Sequence, residues 1–351
     1  MVKAFFNILF ITLVLSNITY SLTEKFSPGE FIIEHLKDEH EWHILSYKDK
    51  HFSIPLPVIL YSFKREKLFV FLSNKFEHGN KIYKNFKLEK EGKYKGKIIE
   101  VDENGNIYEK LPLDLSITKN VLQIFIISAL LIIIFNRTSK YYKKESKIKD
   151  KLTIAIDYFI IFIRDDIAKQ TIGEKYEKFM PYLLTVFFFI FLTNISGLIP
   201  IFPFGANVTG NIAVPLVLAC FTMATIFIMS TKNYWLHLIN TPGVPWWFKL
   251  PIPIIPIIEI LGFFSKHFVL MVRLFANILA GHIIILGFIS MIFIFGTKST
   301  VLGYAISPLS IAFVIFMTFL ELLVAFIQAY VFTILSSIYF GMIFEDENNK
   351  H

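Results

Sequence analysis

Arg273 stands in Met-Val-Arg-Leu-Phe-Ala-Asn-Ile-Leu-Ala-Gly-His, residues 271–282, and the 24 residues that follow it, 274–297, contain no Asp, Glu, Lys or Arg. A guanidinium keeps its proton under ordinary conditions. Holding one inside an apolar helix costs about 2.5–3.5 kcal/mol on insertion scales. A chain that retains such a charge is expected to use it, and the first reading is an ion pathway. Glu321 supports that reading, because it is the only charged residue between Lys298 and Glu345. Two lone charges of opposite sign on neighbouring apolar segments predict a pair or a relay. The plainer alternative is a buried ion pair that only fixes helix packing.

Helical geometry arranges further polar residues around these two. Glu259, Lys266 and Arg273 are spaced by seven, and each such step drifts only about 20° on a helix. Asn277 joins the same broad stripe. His282 lies nine residues beyond Arg273, roughly 13.5 Å further along and on the opposite face. Glu321 and Gln328 are seven apart and share a face. If the two segments run antiparallel, His282 and Glu321 fall on one side of Arg273 and Gln328 falls near its level. Glu259 then falls on the other side, roughly 21 Å back along the helix. Titratable groups would lead toward a permanent cation from both ends. That pattern fits two aqueous half-pathways separated by a charged barrier, which a continuous pore would not need. His282 alone also fits a hydrogen-bonded packing residue.

The elements that must carry these residues follow from composition. The chain has 351 residues, is 54% hydrophobic and has a mean hydropathy of +0.57. Residues 23–118 are rich in charge and turns, whereas apolar runs of spanning length recur from residue 119 onward. The prediction is an all-α polytopic membrane protein of about five membrane helices, with a small strand-bearing N-terminal domain outside the cytoplasm. Spans are expected at about 119–136, 180–200 and 211–230, with an apolar-rich helix over 153–168 that reads as membrane-surface. Stretches at about 253–295 and 302–343 follow. The first of these would be roughly 64 Å long as helix, about twice the hydrocarbon thickness. Each must tilt strongly, bend or break.

The first 21 residues, with Lys3 before an apolar core of about 4–15 and small residues at Thr19 and Ser21, read as a signal peptide; an uncleaved anchor is the alternative. Within 22–118, residues 52–62 and 67–73 look like strands, and 95–113 like a hairpin turning at residues 102–105. His35, His40 and His43 cluster near Trp42 but match no zinc spacing and read as ordinary surface histidines. Residues 137–151 carry seven Lys/Arg and two acids, the mark of a cytoplasmic loop. Parity then puts 137–179, with eleven Lys/Arg, and 231–252 inside. The loop 201–210, which has no Lys or Arg, and the turn near Lys298 fall outside, and the tail 344–351 inside. The net charge of +7 is concentrated beside a membrane segment and points to anionic lipid, not nucleic acid. The single Cys220 excludes an internal disulfide. No nucleotide-binding loop, metal motif or nucleophile triad is present in the sequence, so no cofactor is expected.

Over about 119–343 the chain resembles subunit a of the F-type ATP synthases, the stationary proton-channel subunit of the membrane sector. Arg273-Leu-Phe-Ala-Asn277 followed by Ala280-Gly281-His282 is the most specific element. Glu321 and Gln328 match in type and spacing, Glu259 and Lys266 fall in register, and Pro181-Tyr-Leu-Leu through Asn194, Gly197 and Pro200 adds an earlier signature. The resemblance implies a rotating ring of c subunits whose carboxylates pass Arg273, a b-subunit stalk, and ATP chemistry on the other subunits of the complex. It implies His282 and Glu321 as the outer half-channel pair and Glu259 as an inner residue. Asn277 and Gln328 become polar neighbours of Arg273. It also implies a bacterial inner membrane, with the N-terminal domain periplasmic and the C-terminus cytoplasmic. In some members the acid and the histidine exchange places relative to His282 and Glu321, and His267 stands where proline is common. The signal peptide and N-terminal domain resemble extended forms found in Bacteroidetes-type bacteria. The competing reading, a secondary transporter with an intramembrane Arg/Glu site, predicts two matching halves; the apolar segments have unlike lengths.

Overall fold

The computed structural model describes residues 27–47, 50–90, 92–102, 106–108, 110–143, 150–230, 232–239 and 254–348. The expected signal peptide, the tip of the 102–105 turn, most of the loop 231–252 and the last residues of the tail lie outside the described residues.

The N-terminal region begins with α1 (Pro28–Leu36), a helix that sequence pattern alone did not announce. A hairpin follows, β1 (Glu41–Tyr47) paired antiparallel with β2 (Lys50–Pro55). The strand expected over 52–62 is divided at Leu56, so that β3 (Pro57–Ser62) joins a second sheet. There it lies between β4 (Lys67–Leu72) and β7 (Leu113–Asp114). β5 (Phe86–Leu88) pairs with β6 (Ile98–Glu100). The hairpin expected over 95–113 survives as a bridge between Val101 and Ile107, while Leu113 leaves it to pair with Tyr61. Alternation explains the sheet: Val58 and Leu60 point into a core with Phe76, Phe86 and Ile98, backed by Phe69 and Phe71.

The junction with the first long helix, α2 (Lys119–Lys143), is closed by a cap from 80 residues away. Asp38 accepts the hydroxyl of Thr118 at 2.8 Å and the backbone N–H of Asn120 at 3.1 Å. It satisfies a free donor of the first helical turn and supplies negative charge where the helix dipole favours it. Next to it His40 Nε2 meets Asp114 Oδ2 at 3.0 Å.

Beyond α2 come α3 (Lys151–Phe162), a π-helical segment over Ile163–Ala168 and α4 (Lys169–Ile172). Asp165 in the π segment binds Arg164 at 2.8 Å and Lys169 at 2.6 Å, and these partners hold its carboxyl well below the usual carboxylate range. Then follow α5 (Met180–Gly197), with proline in its first turn, α6 (Ala213–Met229) and α7 (Lys232–Ile239). The last two helices are α8 (Ile254–Lys298) and α9 (Thr300–Asn348), of 45 and 49 residues. Among the described residues four helices are long and apolar enough to cross a membrane, and α6 is a shorter apolar helix. Neither α8 nor α9 breaks among the described residues. Pro256 falls in the first turn of α8, where a missing N–H is harmless. Pro308 is absorbed within α9. At about 1.5 Å per residue both exceed a hydrocarbon core of about 30 Å, so tilting or bending remains.

The chain forms two compact units. One gathers the described part of residues 1–126 with Ile199–Ala206 and Ile289–Ser310. Within it Phe31 packs against Phe293, Trp42 against Phe202, and Gln123 accepts the N–H of Ala206 at 2.7 Å. The other unit gathers Ile127–Leu198, Asn207–Phe288 and the chain from Ile311 onward. Its interior is aromatic: Phe179 stacks on Phe340 at 4.7 Å, and Phe159 packs against Phe187, Phe191 and Phe326. Gly341 lets α9 approach the carbonyl of Thr171, whose hydroxyl bonds Ser337.

Candidate functional site

The site is built where α8 and α9 run side by side in the second unit. Their contacts proceed antiparallel: Phe288 stacks on Phe313 at 4.9 Å, His282 meets Glu321, Asn277 meets Gln328, and His267 packs on Tyr339 at 5.3 Å. Apolar residues recur on these faces and weld the helices together. The polar exceptions sit at matched levels.

His282 Nδ1 is in direct contact with Glu321 Oε1. Glu321 is 3% exposed, and its Oε2 has no hydrogen-bond partner among the described residues. A carboxylate so placed is costly unless a partner supplies charge or a proton. Here that partner is an imidazole, a group able to give or take a proton, so one proton can be shared across the contact. Gly281 makes the approach feasible. A Cβ at that position would lie 2.9 Å from both Cδ and Oε1 of Glu321, closer than real Cβ atoms come. The glycine therefore holds open the seat of the carboxylate on the α8 backbone.

Roughly 7.5 Å along α8, five residues before His282, Asn277 Nδ2 donates to Gln328 Oε1 at 2.9 Å. Gln328 is 1% exposed, and its Nε2 has no hydrogen-bond partner among the described residues. One more turn brings Arg273, which lies on the exposed side of α8 with Asn277, Lys266 and Glu259. Around them on that side stand the exposed apolar residues Phe264, Phe268, Val269 and Val272. Arg273 has no carboxylate within 4.0 Å among the described residues. The direct pairing of Arg273 with Glu321 that two lone opposite charges suggested is thus replaced by two separate arrangements. The acid is paired with histidine inside the hairpin, and the guanidinium is presented outward. Lys266 Nζ lies 3.9 Å from Met342 Sδ, and Glu259 is exposed without an ion-pair partner among the described residues.

Two residues of the neighbourhood carried too little signal in sequence to be assigned. His267 is buried, its Nδ1 2.9 Å from the Phe263 carbonyl and its ring between Phe263 and Tyr339, with Nε2 lacking a partner among the described residues. It fills helically what proline would otherwise occupy, so the local helix is regular. Gly281 belongs to the recognised motif, but only the position of Glu321 shows why a side chain is excluded. Asn194, quoted from the earlier signature, accepts the hydroxyl of Thr209 at 2.7 Å.

In the first unit His35 bonds the Phe31 carbonyl and His40 bonds Asp114, while the side chain of His43 lies outside the described residues. No group of three metal-binding side chains occurs among the described residues. Cys220 is exposed on α6.

A family model described as ATP synthase A chain matches residues 121–341. A second, described as Domain of unknown function (DUF8433), matches residues 31–121. The chain is 40% identical over 244 residues to ATP synthase subunit a of Chloroherpeton thalassium, an alignment covering 67% of this chain and 69% of that one. It is 45% identical over 237 residues to ATP synthase subunit a 2 of Chlorobium luteolum, covering 66% of each. To ATP synthase subunit a 2 of Prosthecochloris aestuarii it is 43% identical over 244 residues, covering 68% of this chain and 71% of that one.

Proposed function

The chain belongs to the ATP synthase subunit a family, and from that membership we propose how its side chains carry protons. It is a multi-pass membrane protein of the proton-translocating membrane sector of an ATP synthase. In the proposed mechanism two half-channels approach Arg273 from opposite sides of the bilayer. His282 and Glu321 receive protons on the outer side. Glu259 lines the inner side, and Asn277 with Gln328 forms the polar step between the outer pair and the arginine.

The observation that carries this reading is the division of labour on the α8–α9 hairpin. A titratable pair is buried at one level, and a permanent cation with no acidic partner among the described residues is presented outward roughly 13.5 Å away along α8. The missing counter-charge is supplied by a partner, the membrane carboxylate of a rotating c-subunit ring. The guanidinium favours the ionised form of each carboxylate that passes and so drives release of its proton. The same fixed charge repels protons and blocks direct flow between the half-channels. ATP chemistry belongs to the other subunits, and a b-subunit stalk holds this one stationary.

Arg273→Ala tests the proposal. It should abolish ATP-driven proton pumping in vesicles bearing the assembled complex, while passive leak through the membrane sector rises. Lys should restore little, since an ammonium loses its proton on burial more readily and lacks the planar donor fork. Normal coupled pumping in an assembled Ala variant would sink the idea.

The topology is proposed with it: signal peptide 1–21, periplasmic domain 22–118, membrane channel domain 119–343 and cytoplasmic tail 344–351. What supports it is that the strand-bearing region shares one compact unit with 199–206 and 289–310, the segments that charge parity assigns to the same side. Protease treatment of right-side-out vesicles should cleave within 22–118, and N-terminal sequencing should begin near Leu22. An intact Met1, or protection of 22–118 until the cytoplasmic face is opened, would overturn this layout.

A further inference from the structure

The sheet β4–β3–β7 is apolar on both faces. One face is the core of the strand-bearing region, with Val58 and Leu60 fully buried. On the other, the register aligns Leu68 with Tyr61 and Leu113 in one row and Val70 with Ile59 in the next, where the N–H of Leu115 bonds the Ile59 carbonyl. This second face is open: Leu68 is 58% exposed, Val70 58% and Leu115 55%. A continuous patch of this kind on three paired strands marks an interaction surface, whereas scattered exposed leucines would not. Antiparallel sheets that meet water on one side alternate apolar and polar residues, and this one does not.

We propose that this outer face of the sheet rests on the lipid surface of the bilayer that α2 enters, held by apolar insertion and by lysine contacts to anionic headgroups. Continuity is the first argument. Strand pairing persists to Ile117, whose N–H bonds the Pro57 carbonyl, and the apolar spanning helix begins at Lys119. Three residues intervene between Leu115 and the first residue of that helix, a reach of at most about 14 Å. The edge strand of the patch is therefore tethered at the membrane. Charge is the second argument. Residues 62–90 carry eight Lys/Arg against three acids. Lys110 lies 4.0 Å from the ring centre of Phe63, which flanks Tyr61 at 5.4 Å. An apolar centre with a basic rim is the chemistry that binds anionic lipid. A second copy of the chain would instead bring the same basic segment against itself.

The test uses the full chain in a Cys220→Ser background. Nitroxide labels are attached to Val70→Cys, with Leu68→Cys as an independent reporter should the first fail to assemble, and to Lys95→Cys on the exposed turn beside the domain. The protein is reconstituted into phosphatidylcholine vesicles with and without phosphatidylglycerol. Labels at positions 70 and 68 should be more accessible to oxygen than to a water-soluble nickel chelate, most clearly with phosphatidylglycerol and less so in high salt. The label at 95 should show the reverse order. A label at 70 as open to the chelate as that at 95 would overturn the proposal. So would protection from both reagents, which would mean a protein partner, or strong dipolar coupling between labels, which would mean a second copy.

Discussion

Glu100 in the strand-bearing region and Glu321 in the membrane hairpin are equally buried, each 3% exposed, and they are partnered in opposite ways. Glu100 accepts the Ser62 hydroxyl at 2.7 Å and Arg65 Nε at 2.8 Å. Arg65 is fixed in turn by the Lys84 carbonyl and lies over the rings of Phe69 and Phe86. A permanent cation and a hydroxyl donor satisfy that carboxylate, and its work is to hold a turn. Glu321 contacts the imidazole of His282, and its other oxygen has no hydrogen-bond partner among the described residues. Because the neighbour can gain or lose a proton, the pair can too. Burial alone does not make a carboxylate functional; the nature of its partner decides.

Replacing Glu321 should test that difference most severely. Glu321→Gln removes the shared proton and is expected to slow ATP-driven pumping by roughly a hundredfold, the scale of one positioned proton-transfer group. The complex should still assemble. The reciprocal exchange, His282→Glu with Glu321→His, should recover more transport than the two single losses predict, and simple additivity in that cycle would argue against coupling.

The matching change in the other region should leave transport almost untouched and cost stability instead. Glu100→Gln strands Arg65 beside two rings and should destabilise the strand-bearing region by about 2–3 kcal/mol, read as lost amide protection around Val58 and Leu60. If Glu100→Gln slowed pumping as much as Glu321→Gln, with protection unchanged, the contrast would be wrong.

A smaller effect is expected at Asp114. Burial raises its carboxyl, but hydrogen bonds from His40 and Ser116 outweigh that and hold it below its ordinary value of 3.8. A folded-state value below the unfolded one gives stability that is complete above the ordinary carboxylate range and is lost as pH falls through the lowered value. Protection of the Ser116 amide, which donates to Asp114 Oδ1 at 2.9 Å, should decline below about pH 4 after correction for intrinsic exchange. Asp114→Asn should flatten that decline. A profile unchanged by the substitution would assign the acid sensitivity elsewhere.

Much of the membrane half was legible because the bilayer simplifies the code. Long apolar runs read directly as helices, and a charge within one stands out against a uniform background. The seven-residue spacing of Glu259, Lys266 and Arg273 correctly gave a shared face, and all three are exposed on α8. The spacing of Glu321 and Gln328 likewise gave a shared buried face. The strand-bearing region was harder. Its helix α1 has only nine residues and its strands β5 and β6 only three each, too short for periodicity to register. Leu113 looked like a hairpin arm and pairs instead with Tyr61, a choice made by distant sequence.

The sequence by itself determined the class of this protein, its helical hairpin and the family to which it belongs. Periodicity is local, so it can say which residues share a face. It cannot say what that face meets. Tertiary structure alone decided that Glu321 contacts His282 while Arg273 looks outward, that Gly281 makes room for a carboxylate, and that Asp38 caps a helix 80 residues away. Each of those facts depends on the register between segments far apart in the chain. That register is set by the sum of many apolar contacts, such as Phe288 on Phe313, none of which carries a signature of its own.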